Sequence, residues 1–219
     1  SILPTDGEFH PFRRQSARWV ESGAAHIEIV PVEPFDDFDQ RFLARASSGD
    51  HDLIFTSHVF FNSGRIFGGI ADLAALARAE GPWIVIDGYH GFMAVETDLS
   101  AFADRIFYLA GGYKYAMAGE GAAFLHAPPG FGARPENTGW YAEFSALAAA
   151  PGQIGYAQDG ARFMGATFDP SGLYRLVAST GLLRAEGLST RDIAARTRAL
   201  LHQLANAMSS GGAGALKHA

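Results

Sequence analysis

Short apolar runs alternate along this chain with segments whose apolar positions recur at helical spacing. Trp83-Ile84-Val85-Ile86-Asp87 is apolar until it ends in a carboxylate. Comparable runs fall over 26–32, 52–60, 105–110 and 121–126, and the chain opens on Ser1-Ile2-Leu3-Pro4-Thr5, which reads as the end of a strand. Apolar spacing of three and four residues predicts helices over 11–22, 38–46 and 71–79. Strands alternating with helices imply βαβ units and a mainly parallel sheet. Continuous apolar runs fit strands buried on both faces. The expected fold class is therefore α/β, a three-layer αβα sandwich.

The texture changes after residue 130. Residues 131–167 are rich in Gly, Pro and aromatics and lack a clear period, as functional or interface loops do. Two helices are expected beyond them, over 170–186 with a stop at Gly187, and over 190–208 with a Ser189 or Thr190 cap. The tail Ser209-Ser210-Gly211-Gly212-Ala213-Gly214 reads as a flexible linker. Both ends look cut, so a fragment of a longer protein is expected.

Composition narrows the function. The chain has 219 residues and a net charge of -6 with mixed signs, which argues against a nucleic-acid or anionic-membrane partner. There is no cysteine, so no disulfide, zinc–thiolate site or cysteine nucleophile lies within these residues. That is compatible with a reducing cytosol, and a cytoplasmic location is expected. No apolar run is long enough for a membrane span. The histidines form no metal-ligand spacing, and no metal site is expected.

In an open α/β sheet, ligands sit beyond the carboxyl ends of the strands. Asp87 closes one such strand. Lys114 lies just past another, on the glycine-rich turn Gly111-Gly112-Tyr113. The sheet should bring both to one edge. A lysine at the mouth of a buried sheet can act as a reactive amine. A pyridoxal phosphate (PLP) enzyme needs this pair, a lysine to form the Schiff base and an aspartate to keep the ring nitrogen protonated. By itself the pair also fits a metal ligand or a phospho-acceptor aspartate, and a strand-end Asp is often only a helix cap.

The surrounding residues are more specific. Ile86-Asp87-Gly88-Tyr89-His90-Gly91, with Gly111-Gly112-Tyr113-Lys114-Tyr115 and Gly119-Glu120-Gly121, resembles the class V aminotransferase family. That is a branch of fold-type I PLP enzymes that includes kynureninases and cysteine desulfurases. The resemblance runs over about 4–187. Asp-x-x-His with Tyr-Lys-Tyr is most similar to the kynureninase side, since desulfurases usually show Asp-x-x-Gln and His-Lys.

The resemblance implies roles residue by residue. Lys114 is the Schiff-base lysine and Asp87 the ring-nitrogen aspartate. His90 lies near the cofactor's phenolic oxygen, and Tyr113 contacts its phosphate. Phe9, in Asp6-Gly7-Glu8-Phe9-His10, stacks on the ring. Ser57-His58-Val59 and Asn62-Ser63-Gly64 match the loop beneath it. Trp140 and Thr167 match residues that reach a neighbouring subunit's phosphate, implying a homodimer with a shared active site. The expected organisation is a PLP-binding large domain over 1–187, lacking its N-terminal part, and a helix over 188–219 leading into a mostly absent small domain. The family's phosphate loop and its substrate-carboxylate arginine are expected outside these residues. The implied activity is transamination of an amino acid. A kynureninase-like hydrolysis or a desulfurase-like lyase reaction is the alternative, and a non-catalytic or phospho-acceptor domain using Asp87 is a different class.

Overall fold

The computed structural model describes residues 1–148, 152 and 154–210. Five strands form one sheet in chain order: β1 (Ile2–Leu3), β2 (Leu53–Ser57), β3 (Trp83–Asp87), β4 (Ile106–Gly111) and β5 (Ala123–His126). The first three pairings are parallel and the last, β4 with β5, is antiparallel. Helices α1 (His10–Glu21), α2 (Phe38–Ser48) and α3 (Ile70–Leu76) lie between the early strands, and α4 (Ser171–Ala185) and α5 (Thr190–Ser210) follow the irregular segment. Ser209 and Ser210 of the expected linker tail continue α5 instead, and the rest of it lies outside the described residues.

Strand alternation divides the core. Ile54, Ile84, Ile86 and Ile106 are fully buried and share one cluster with Phe38 and Phe42 of α2 and with Leu73 of α3. Successive strand side chains point to opposite faces. Phe55, Val85, Asp87 and Leu109 therefore face away from that cluster. Phe12 of α1 stacks on Phe55 at 3.9 Å, which puts α1 on the second face. Helices thus cover both faces of a mostly parallel sheet, as the continuous apolar strands predict. Removing each of these large side chains from water is worth about 1.5–3 kcal/mol.

Local rules set several boundaries. Pro11 sits in the first turn of α1, where its missing N–H costs nothing, and Gly23, at φ 71°, follows the helix end. No helix separates β3 from β4; that connection is a series of turns. The sharpest difference from the sequence pattern is the run over 26–32. It forms no strand, only two isolated parallel bridges, Ile2 to Ile27 and Thr5 to Val30. Its neighbour β1 is two residues long, and Pro31 has no N–H to extend a ladder.

Candidate active site

Register places the site. Ser57 at the end of β2 stands opposite Asp87 at the end of β3, and Asp87 stands opposite Leu109 of β4. The strand ends therefore meet at one edge. The chain leaves β3 through Gly88, whose N–H donates to Leu109 O at 2.8 Å. A Cβ at Gly88 would lie 2.0 Å from the Tyr108 ring, and one at Gly111 would lie 2.3 Å from the Tyr89 ring. A side chain at either place would have to displace an aromatic ring.

Asp87 is largely buried, and its Oδ1 accepts the Tyr89 N–H at 2.9 Å. No other hydrogen bond to this carboxylate is made among the described residues. Burial pushes its pKa up, while the Tyr89 N–H and the charge of Lys114 pull it down. The side chain lines a cavity of about 440 Å³ with Phe9, Phe12, Phe55, Tyr89 and Tyr113. This cavity lies between α1 and the sheet's second face, where Asp87 points.

Lys114 follows β4 on a turn closed by Met117 N–H to Lys114 O and Ala118 N–H to Gly112 O. It is partly buried. Its Nζ lies 4.9 Å from the Tyr113 ring centre and 5.9 Å from that of Phe9. Phe9 in turn meets His90 edge-on at 5.7 Å and Phe61 at 5.1 Å. Burial, and then the charge of Lys114, hold the His90 pKa below its ordinary value. The imidazole is therefore biased toward its neutral form. Lys114 is one of two lysines in the chain, and the other, Lys217, lies outside the described residues.

Of the residues expected from sequence, Asp87, Lys114, His90, Tyr113 and Phe9 come together at this edge. Tyr113 is 39% exposed, with its ring 5.9 Å from that of Tyr89. Trp140 and Thr167 do not join them. Trp140 is exposed and its ring lies tilted against those of Tyr141 and Phe144 on a 3-10 segment, Trp140–Ala146. Thr167 is exposed on the neighbouring stretch, which is tied to the first by Tyr141 N–H to Gly165 O at 3.2 Å. In the loop after β2, Asn62, Ser63 and Gly64 are exposed, and Phe61 is the side chain that turns toward Phe9.

Two contributors were not singled out by sequence reasoning. Glu8 is wholly buried beneath the Phe9 turn. Its signal was only its position between a glycine and a ring-contacting aromatic. Arg175 of α4 donates from Nε to Ala118 O at 2.9 Å and from Nη2 to Glu120 O, which fastens the loop after Lys114. No sequence period marks it, because the contact crosses from a distant helix.

No family model matches the chain. It is 31% identical over 195 residues to isopenicillin N epimerase of Streptomyces clavuligerus, a match covering 88% of this chain and 44% of the epimerase. It is also similar to the apo cysteine desulfurase of Thermococcus onnurineus NA1, with a TM-score of 0.71, 17% identity, and coverage of 96% of this chain and 51% of the other. A C-DES mutant with glycine covalently linked to its PLP cofactor gives a TM-score of 0.66 at 20% identity, covering 88% and 51%. The chain thus spans about half the length of the proteins it matches. Parallel strands in chain order, helices on both faces and the likeness to these structures agree: the chain carries the fold of the class V aminotransferase group, fold type I among PLP-dependent enzymes.

Proposed function

We propose that this chain forms the cofactor-binding part of a PLP-dependent enzyme acting at the α-carbon of an amino acid. The observation that carries the reading is the carboxylate of Asp87. It is largely buried, holds one backbone N–H, and faces an aromatic-lined cavity whose Phe9 wall also lies beneath the Lys114 ammonium. A cationic ring nitrogen suits that carboxylate, because an opposite charge would offset the cost of its burial. The flat ring of the group suits the Phe9 wall, and a nearby amine is present to anchor it. The residues fit.

When bound, PLP supplies a sink for the electron pair left at the substrate's α-carbon. Everything else falls to the protein. Asp87 keeps the ring nitrogen protonated. Lys114 would hold the group through Nζ, and its amine would be placed to carry the α-proton. Phe9 orients the ring by stacking. His90, biased toward its neutral form, would supply a hydrogen-bond partner for the phenolic oxygen, and Tyr113 would take the phosphate end. Trp140 and Thr167, both exposed, are assigned to the site of a second subunit in a homodimer. We further take 1–187 as the PLP-binding domain and 188–219 as the lead into a smaller one.

The reaction class assigned is transamination, which needs only these parts. Epimerisation is the second reading, favoured by the 31% identity to isopenicillin N epimerase. Both begin with the proton that Lys114 would carry. Kynurenine-type hydrolysis and desulfuration are distinguished by their products. Incubating the full-length protein with an amino acid and a 2-oxo acid gives swapped partners for a transaminase. Inversion at the α-carbon with solvent deuterium incorporated there, without swapped partners, marks an epimerase.

The cofactor assignment is tested by adding PLP to the full-length protein, reducing with borohydride and mapping the labelled peptide. Label on Lys114 is expected. Absence of label, or label elsewhere, defeats the reading and leaves Asp87 to a non-catalytic or phospho-acceptor role.

A further inference from the structure

We propose that Glu8 is a positioning residue of the Asp87 site, a second buried carboxyl that clamps the Phe9 turn to the end of β2 and whose charge is coupled to that of Asp87. This deepens the PLP reading and rests on it. Glu8 is 0% exposed. Its Oε1 accepts the Thr5 hydroxyl at 2.6 Å, and its Oε2 accepts the Ser57 hydroxyl at 2.6 Å. Thr5 Oγ1 also accepts the Gly7 N–H at 3.2 Å. One side chain thus joins the turn over 5–8 to the last residue of β2. The next residue in the chain is Phe9. Ser57, the far end of the clamp, stands opposite Asp87 in the β2–β3 ladder. Glu8 therefore fixes both the aromatic wall and the strand end beside the carboxylate.

The electrostatics follow from the same geometry. The groups facing Glu8 are the Thr5 hydroxyl on its own turn, the hydroxyl and backbone of Ser57 from β2, and the charge of Asp87 from β3. The hydroxyls favour the anion, but burial outweighs them and the Asp87 charge acts with burial, leaving the pKa at about 7. A buried carboxylate bound only by neutral hydroxyls stays costly. The Asp87 charge is the smallest of the influences on Glu8, and it acts in the direction of burial, so charging Asp87 opposes charging Glu8. Asp87 has Lys114 nearby to favour its anion, and Glu8 draws no such help. Near neutral pH Glu8 therefore exchanges a proton: both oxygens accept from the Thr5 and Ser57 hydroxyls in the anion, and one must donate when the proton is held.

The test uses carboxyl-carbon NMR on the full-length protein without added PLP. Glu8 is expected to titrate near neutral pH, and Asp87→Asn should move that midpoint down by several tenths of a pH unit, since it removes the opposing charge. A Glu8 midpoint in the ordinary carboxylate range, or one that Asp87→Asn leaves unmoved, overturns the proposal. A second readout uses PLP-loaded protein. Glu8→Gln keeps the shape of the clamp and removes the titrating proton, so it should shift the pH midpoint of the bound cofactor's absorbance. An unshifted profile also overturns the proposal. The two readings fail separately. Absent borohydride label on Lys114 defeats the cofactor assignment, whereas normal Glu8 titration in a protein that does label defeats only the role of Glu8.

Discussion

The Nζ of Lys114 lies 5.9 Å from the centre of the Phe9 ring, although one residue ends a turn near the start of the chain and the other follows the fourth strand. That pairing is the geometric basis of the proposed site. It joins a free amine to a flat apolar wall, with the buried Asp87 carboxylate lining the same cavity as Phe9.

Lys114→Ala should abolish borohydride-stable retention of PLP and lower turnover by about 10²–10⁴-fold, the usual contribution of a positioned acid–base group. Peptide mapping and steady-state kinetics check both. Retained covalent label would place the anchor elsewhere.

Phe9→Ala should weaken PLP binding more than it lowers stability, because Phe9 is only partly buried. Aromatic stacking is worth about 0.5–1.5 kcal/mol, equivalent to roughly 2- to 13-fold in Kd. Equilibrium titration of the apo protein measures it, and Phe9→Tyr should restore most of the loss.

Gly88→Ala and Gly111→Ala should both destabilise, and unequally. The Tyr108 ring that meets a Cβ at Gly88 is 5% exposed, with Ile106 and Ala110 of the same strand face fully buried. The Tyr89 ring that meets a Cβ at Gly111 is half-buried and can move. Overpacking costs about 1–3 kcal/mol, with Gly88→Ala at the upper end. Urea denaturation compares them. Equal losses would mean that the Tyr89 ring is held as firmly as Tyr108.

Arg175→Ala should loosen the loop after Lys114, since it removes the donor to Ala118 O and Glu120 O. Amide hydrogen exchange over 115–121 should speed up, and PLP loading should fall while the sheet amides stay protected. Unchanged exchange in that loop would show that its own turn bonds suffice.

Stability should fall as pH rises through about 7. The Glu8 pKa is raised from 4.5 to about 7 in the folded chain, so between those values the folded state binds more protons than the unfolded one. The stabilisation is fully present below 4.5 and is lost as pH climbs through 7. Its size is on the order of 3 kcal/mol. Chemical denaturation across pH 4 to 8 reads the slope, and Glu8→Gln should flatten it. An identical slope in that variant would assign the effect to other groups.

Much of the architecture is legible in sequence because it depends on local period. The apolar runs that become β2 and β4 are largely buried on both faces, β3 is buried on one face and partly on the other, and the helical spacing of α1, α2 and α4 marks their starts and stops within a few residues. Asp87 and Lys114 are legible for a related reason. Each stands at a strand end, and parallel strands put their carboxyl ends on one edge. The run over 26–32 misleads because its apolar composition matches a strand while its partner β1 offers only two residues to pair with.

The sequence by itself determined the layer order, the strand ends and the pair of charges that meet there. Only the tertiary structure decided which neighbours surround that pair. Glu8 reads as a solvated charge beside a glycine until Thr5 and Ser57 close over it and take it from water. Phe61 reads as one more loop aromatic until the turn after β2 aims it at Phe9. Period and strand polarity are written in consecutive residues, but burial of a charge and the approach of a ring depend on segments far apart in the chain. Those are set only when the sheet closes its register.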